Sequence, residues 1–312
     1  MTNEQTLEFL TTAANQHASD IFIIAGRPLS IKVDGHLTDF GERLMPDDTK
    51  QILECIYQMA NNRDINHLLN TGDDDFSFSI PGLSRFRINA YKQRGSLAAV
   101  IRVIAFRLPD PSELSIPDDV MQTADYTKGM VLVTGSAGSG KSTTMACLID
   151  RINHSREGHI ITLEDPLEYL HRHDRCIVSQ REICTDTENY LTSLRATLRQ
   201  SPDVILLGEM RDHETIQTAM TAAETGHLVL SSLHTLGAAN SISRIIDVFE
   251  PAQQHQIIVQ LSMVLQAVIS QQLIPDVNGK VIPVFEVMRL TPAIRNMIRD
   301  NKLHQIEGVI AS

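Results

Sequence analysis

Four short apolar runs, Val131 to Thr134, Ile160 to Leu163, Val204 to Leu207 and Leu228 to Ser232, each stop abruptly at polar residues. Continuous apolar runs of this length predict strands buried on both faces of a parallel sheet. Between them the spacing turns helical, as from Ser142 to Ile152. The second part of the chain therefore reads as strand and helix in alternation, a mostly parallel sheet covered by helices. The first part is patterned differently. Strands at Asp20 to Ile24, Leu29 to Val33 and Asp75 to Ile80 surround a helix over Asp47 to Met59, where Ile52, Cys55, Ile56 and Met59 recur at helical spacing. Val33-Asp34-Gly35-His36-Leu37 predicts a two-residue hairpin turn. Arg85 to Tyr91 and Ser96 to Ile104 predict a second strand pair. Arg85, Arg87 and Asn89 alternate with Phe86, Ile88 and Ala90, which puts the arginines on the exposed face.

Pro109, Pro111 and Pro117 fall close together between apolar runs, the signature of a linker. The expected organisation is a small α+β domain over residues 1–105, a linker over 106–118 and an α/β domain over 119–312. At 312 residues with 42% apolar positions, the chain can bury two cores. No apolar run reaches the roughly 18 residues of a membrane span, and the acidic, polar start Met1-Thr-Asn-Glu-Gln does not resemble a signal peptide. A cytoplasmic location is expected. The net charge of −11 disfavours long-range attraction to nucleic acid, and no nucleic-acid partner is expected.

The polar clusters after the apolar runs carry the chemistry. Gly135-Ser136-Ala137-Gly138-Ser139-Gly140-Lys141-Ser142 fits G-x-x-x-x-G-K-[ST] and lies between a strand and a helix. Glycines there let backbone N–H groups approach phosphate oxygens, and the helix N-terminus adds partial positive charge. Residues 136–140 with Lys141, Ser142 and Thr143 are thus expected to hold ATP, Lys141 reaching the terminal phosphates and Ser142 holding Mg²⁺. In an open parallel sheet ligands collect at the carboxyl ends of the strands. If the four strands run parallel, Glu164, Glu209 and His234 converge on those phosphates. Glu209, beyond a buried strand and its glycine, is the expected acceptor that orients water and a candidate for the metal. Glu164 and, more weakly, Glu168 are further candidates, with Pro166 between them implying a turn. Cys55, Cys147, Cys176 and Cys184 show no C-x-x-C spacing and are expected to be reduced and buried. His171 and His173 are expected to be exposed loop residues.

These segments resemble a known family. Gly135 to Ser142, Thr162-Leu-Glu-Asp-Pro-Leu-Glu168, Ser201 to Asp212 and Thr221 to Thr235 are similar to the Walker A, Asp, Walker B and His boxes of the type II/IV secretion ATPases. Ala293-Ile-Arg-Asn-Met-Ile-Arg-Asp300 resembles the signature of the PilT-type pilus-retraction motors within it, with Met297 and Asp300 in place of Leu and Glu. The resemblance implies a RecA-like P-loop ATPase domain behind a PAS-like N-terminal domain, assembled as a homohexamer. Hydrolysis would drive pilin disassembly through an inner-membrane platform protein, so the chain would meet the pilin fibre indirectly and sit peripherally at the inner face of the membrane. Arg87 and Arg102 match the arginines that such motors lend to a neighbouring subunit. Relatives usually continue past an end like Ser312, and both a shortened and a naturally short chain fit that. An extension or secretion ATPase is the alternative, disfavoured by the lack of a tetracysteine insertion. A small-molecule kinase and a nucleotide-gated binding module without turnover remain open on the residues alone.

Overall fold

The computed structural model describes residues 1–33, 35–104, 108–277 and 281–310. The chain divides into two compact units, residues 1–107 and 108–312. Asp34 of the expected hairpin turn, and Phe106 and Arg107 of the expected linker, lie outside the described residues.

The first unit runs α1 (Asn3–Asn15), β1 (Asp20–Ile23), β2 (Leu29–Val33), β3 (His36–Phe40), α2 (Pro46–Met59), α3 (Asn66–Thr71), β4 (Asp73–Ile80), β5 (Ser84–Gln93) and β6 (Ser96–Ile104). Its strands form one antiparallel sheet in the order β3-β2-β1-β6-β5-β4. One face is covered: Leu10 of α1 and Ile52, Ile56 and Tyr57 of α2 pack with Ile21, Phe86, Ile88 and Ile101. The alternation along β5 holds, with Phe86 and Ile88 buried and Arg85, Arg87 and Asn89 on the opposite face. Asp74 is buried and fully answered, accepting from Tyr57 Oη at 2.8 Å and from Arg63 Nε and Nη2 at 2.9 and 2.7 Å. That pairing holds the Asp74 carboxyl below its ordinary range against the opposing effect of burial.

The second unit runs α4 (Asp118–Met121), β7 (Gly129–Thr134), α5 (Lys141–Ser155), β8 (Gly158–Glu164), β9 (Cys176–Glu182), α6 (Tyr190–Thr197), β10 (Val204–Leu207), α7 (His213–Glu224) and β11 (Leu228–Leu233). It continues with α8 (Ala238–Asp247), α9 (Pro251–Val264), β12 (Leu265–Pro275), β13 (Val281–Arg289), α10 (Pro292–Arg299) and α11 (Ile306–Ile310). The sheet order is β13-β12-β7-β11-β10-β8-β9, parallel throughout except where β13 returns against β12. Strands β7, β10 and β11 are buried at every position because both faces of the sheet are used. Met130 and Leu132 face Leu194, Ile216, Ile242, Ile257 and Ile298 of the helices on one side, while Val131 and Val133 face Leu148, Ile149 and Ile152 of α5 on the other. In α10 Ile294 and Ile298 are buried and Arg299 is exposed, the division that the i, i+4 spacing predicts. No helix among the described residues is long and apolar enough to cross a membrane.

Candidate nucleotide site

The four strands that feed the polar clusters are neighbours and parallel, in the order β7-β11-β10-β8. Their carboxyl ends therefore deliver the glycine loop, His234, Glu209 and Glu164 to one rim of the sheet. A cavity of about 210 Å³ opens there, lined by Lys141, Ser142, Glu164, Glu209 and His234 among others. The sequence-predicted residues Ala137, Gly138 and Glu168 also line it.

The loop needs its glycines. Gly135 has φ +151° and Gly138 and Gly140 have φ +75° and +87°. A Cβ on Gly135 would collide with the carbonyl oxygen of Gln271, so β12 sets how closely the loop can be backed. Gln271 also accepts from Thr144 Oγ1 at 2.7 Å, tying the start of α5 to β12. Lys141 is almost buried, and its Nζ donates to the carbonyls of Gly135 and Ser136 at 2.9 and 2.8 Å. Burial lowers its pKa, while the charges of Glu209 and Glu168 pull in the other direction. A cation held by loop carbonyls at the mouth of a helix N-terminus is poised to exchange them for phosphate oxygens.

Polar contacts run outward from that cation. His234 Nδ1 lies 3.4 Å from Lys141 Nζ, and His234 Nε2 lies 3.3 Å from Glu209 Oε2. An ammonium only donates, so both contacts are hydrogen bonds in the tautomer that leaves Nδ1 as acceptor and carries its proton on Nε2, facing the carboxylate. Glu209 Oε1 is 2.6 Å from Arg211 Nη2. Ser142, Glu164 and Glu209 offer hard oxygen donors around one cavity, the chemistry that suits Mg²⁺ beside phosphate.

Glu164 ends β8 in crowded surroundings. Burial pushes its carboxyl up to about 7, with the Thr162 and Gln180 side chains opposing in part. The folded form thus favours the protonated acid between the ordinary value of 4.5 and about 7, so stability falls as pH rises through that window. The full effect is at most about 3 kcal/mol. Denaturant melts of wild type and Glu164→Gln from pH 5 to pH 8 check this: the variant should lose that decline, and parallel curves would contradict it.

Two expectations need correction. His171 is not an exposed loop residue: it is half-buried, lines the cavity, and is driven down to about 4 by burial, while only His173 is exposed. Cys184 is exposed, unlike the buried Cys55, Cys147 and Cys176. Residues the sequence did not single out also build the site. Tyr190, at the start of α6, lines the cavity, and its hydroxyl lies 2.8 Å from where a Cβ on Gly208 would stand. Ser232 Oγ donates to the Gly208 carbonyl at 2.6 Å and fixes the same turn from β11.

Arg87 and Arg102 lie in the first unit, directly opposite each other on β5 and β6. Arg87 holds Asp75 through Nη2 at 2.7 Å and Nε at 3.2 Å, and Arg102 Nε lies 3.3 Å from Asp20 Oδ1. With Asn89 and Val100 these four residues line a cleft of about 200 Å³.

A parallel sheet with helices on both faces and a glycine loop at its carboxyl rim defines a P-loop nucleotide-binding protein. The model of the family described as "Type II/IV secretion system protein" matches residues 3–307, and the chain belongs to that family. It is 43% identical to the type IV pilus retraction ATPase PilT of Pseudomonas aeruginosa over 303 residues, 97% of this chain and 88% of that protein. It is 40% identical to a twitching motility protein of Neisseria gonorrhoeae over 307 residues, 97% of this chain and 81% of that protein. Its fold matches the crystal structure of the pilus retraction motor PilT with bound ADP, with a TM-score of 0.90 and 44% identity over 97% of this chain and 88% of that one.

Proposed function

We propose that this chain is an ATP-hydrolysing motor that powers type IV pilus retraction by driving pilin disassembly. The observation that carries the reading is the contact chain from Lys141 through His234 to Glu209 at the glycine loop. Similarity to a pilus retraction ATPase along nearly the whole chain supports the same reading. Residues 136–143 hold the phosphates of ATP, with Lys141 at the terminal ones. Ser142 and Glu209 hold Mg²⁺, which neutralises charge on the phosphates when bound. Glu209 orients the attacking water, and His234 and Glu164 frame the γ-phosphate position. The chain works as a homohexamer on the cytoplasmic side, peripherally attached to the inner face of the membrane through the pilus platform protein. Arg295 and Arg299 on α10 support coupling to force.

In the ring, Arg87 and Arg102 act on a neighbour's nucleotide. A guanidinium delivered in this way is worth about 10³-fold or more in phosphoryl transfer. Arg87→Ala protein should bind ATP yet hydrolyse it poorly. Mixing it with Lys141→Ala protein should restore part of the activity, because some interfaces then pair an intact loop with an intact arginine. Mixed rings that recover no activity at any ratio would refute the trans role. Steady ATP hydrolysis without an added acceptor tests the motor reading against a kinase, which would need one. Assembled rings that bind ATP without turnover would favour a binding module instead.

A further inference from the structure

Glu209 is gripped at both oxygens, and only one grip comes from the cavity. His234 Nε2 lies 3.3 Å from Oε2, and Arg211 Nη2 lies 2.6 Å from Oε1. The Glu209 side chain is 14% exposed and the Arg211 side chain 77%, so the guanidinium reaches in from solvent to a largely buried acid. Holding a long exposed side chain in one rotamer costs entropy, and an isolated surface ion pair returns little for it. The short charged contact here falls on the carboxylate that faces the nucleotide loop. Both residues sit on the turn between β10 and α7, whose geometry is fixed on either side. Ser232 holds the Gly208 carbonyl at 2.6 Å, and Asp212 caps α7 by accepting from Thr215 N at 2.8 Å. The turn leaves Arg211 a fixed origin and Glu209 a fixed backbone. What remains free is rotation of the carboxylate itself, and the two contacts on its oxygens remove it. The corner is also acid-rich, with Glu164, Asp165 and Glu168 lining the same cavity as Glu209. Lys141 answers that charge from inside and Arg211 from outside.

We propose that Arg211 is a positioning residue for Glu209, fixing the orientation of its carboxylate toward the cavity. The proposal rests on Glu209 being the carboxylate that orients water. Arg211 touches no phosphate in this role: it acts through Glu209 alone, on turnover and not on nucleotide affinity.

The test compares Arg211→Gln, Arg211→Lys and Arg244→Gln in the assembled full-length protein, measuring kcat and KM for ATP and the Kd of a fluorescent ADP analogue. Arg244 is a similarly exposed arginine lining the cleft next to Arg211 and serves as the control. Arg211→Gln should lower kcat about tenfold with KM and Kd within about twofold of wild type. Arg211→Lys, keeping a charged donor, should recover to within about threefold, and Arg244→Gln should match wild type. In a Glu209→Gln background, Arg211→Gln should add no further loss, because the group it acts through is gone. A kcat for Arg211→Gln equal to or above wild type overturns the proposal, as does a full additive loss in the Glu209→Gln background. Wild-type protein that binds the analogue without hydrolysing ATP instead refutes the reading of Glu209.

Discussion

Lys141→Ala is expected to abolish ATP turnover, lowering it by at least about 10²-fold. The ammonium is the cation at the centre of the loop, bonded to the Gly135 and Ser136 carbonyls and 3.4 Å from His234. Phosphate entering the loop takes over that charge, and alanine offers neither charge nor donor. Folding should survive. Burial already disfavours the charged form of Lys141, so its removal takes away a desolvated charge. A thermal melt near that of wild type, with hydrolysis lost, is the expected pair of results. Normal steady-state hydrolysis would remove the loop from the phosphate-binding role.

Glu209→Gln should separate binding from chemistry. Gln keeps the size and one acceptor oxygen, enough for Arg211 or His234 but not for both, and removes the charge proposed to orient water and accept its proton. Nucleotide affinity should stay close to wild type while hydrolysis falls by roughly 10²-fold or more. The check is single-turnover hydrolysis beside equilibrium binding of a fluorescent nucleotide. Binding and turnover falling together would mark Glu209 as structural.

The parts of the site legible in the sequence are those encoded locally or by simple topology. The glycine loop declares itself because strand, loop and helix are contiguous from Gly129 to Ser155. Glu209 and His234 follow because the largely apolar runs of β10 and β11, buried at every position, lie side by side in a parallel sheet and end at one rim. Gln271 was not legible: it meets Thr144 across 127 residues, and a glutamine in a strand carries no motif. Tyr190 is hidden for a similar reason, since only the bare Gly208 reveals how close its hydroxyl comes. The placing of His171 is set by the tertiary fold, where it lines the cavity and its backbone N–H donates to Gln180 Oε1 at 2.7 Å, and no local pattern announces that. In the first unit the alternating strands β5 and β6 were readable. The return strand β3 was announced by the expected two-residue hairpin, with Val33 paired to His36, whereas helix α1 was not readable because it buries only Thr6, Leu10 and Ala13.

If ATP hydrolysis at Lys141 and Glu209 powers retraction, the motor pulls pili in. The most direct measurement is the number of surface pili on cells lacking this chain, complemented with wild type or with Lys141→Ala. Retraction predicts more fibres in its absence, return to the normal number with wild type, and no return with Lys141→Ala. Cells without any pili would contradict retraction and assign the motor to extension.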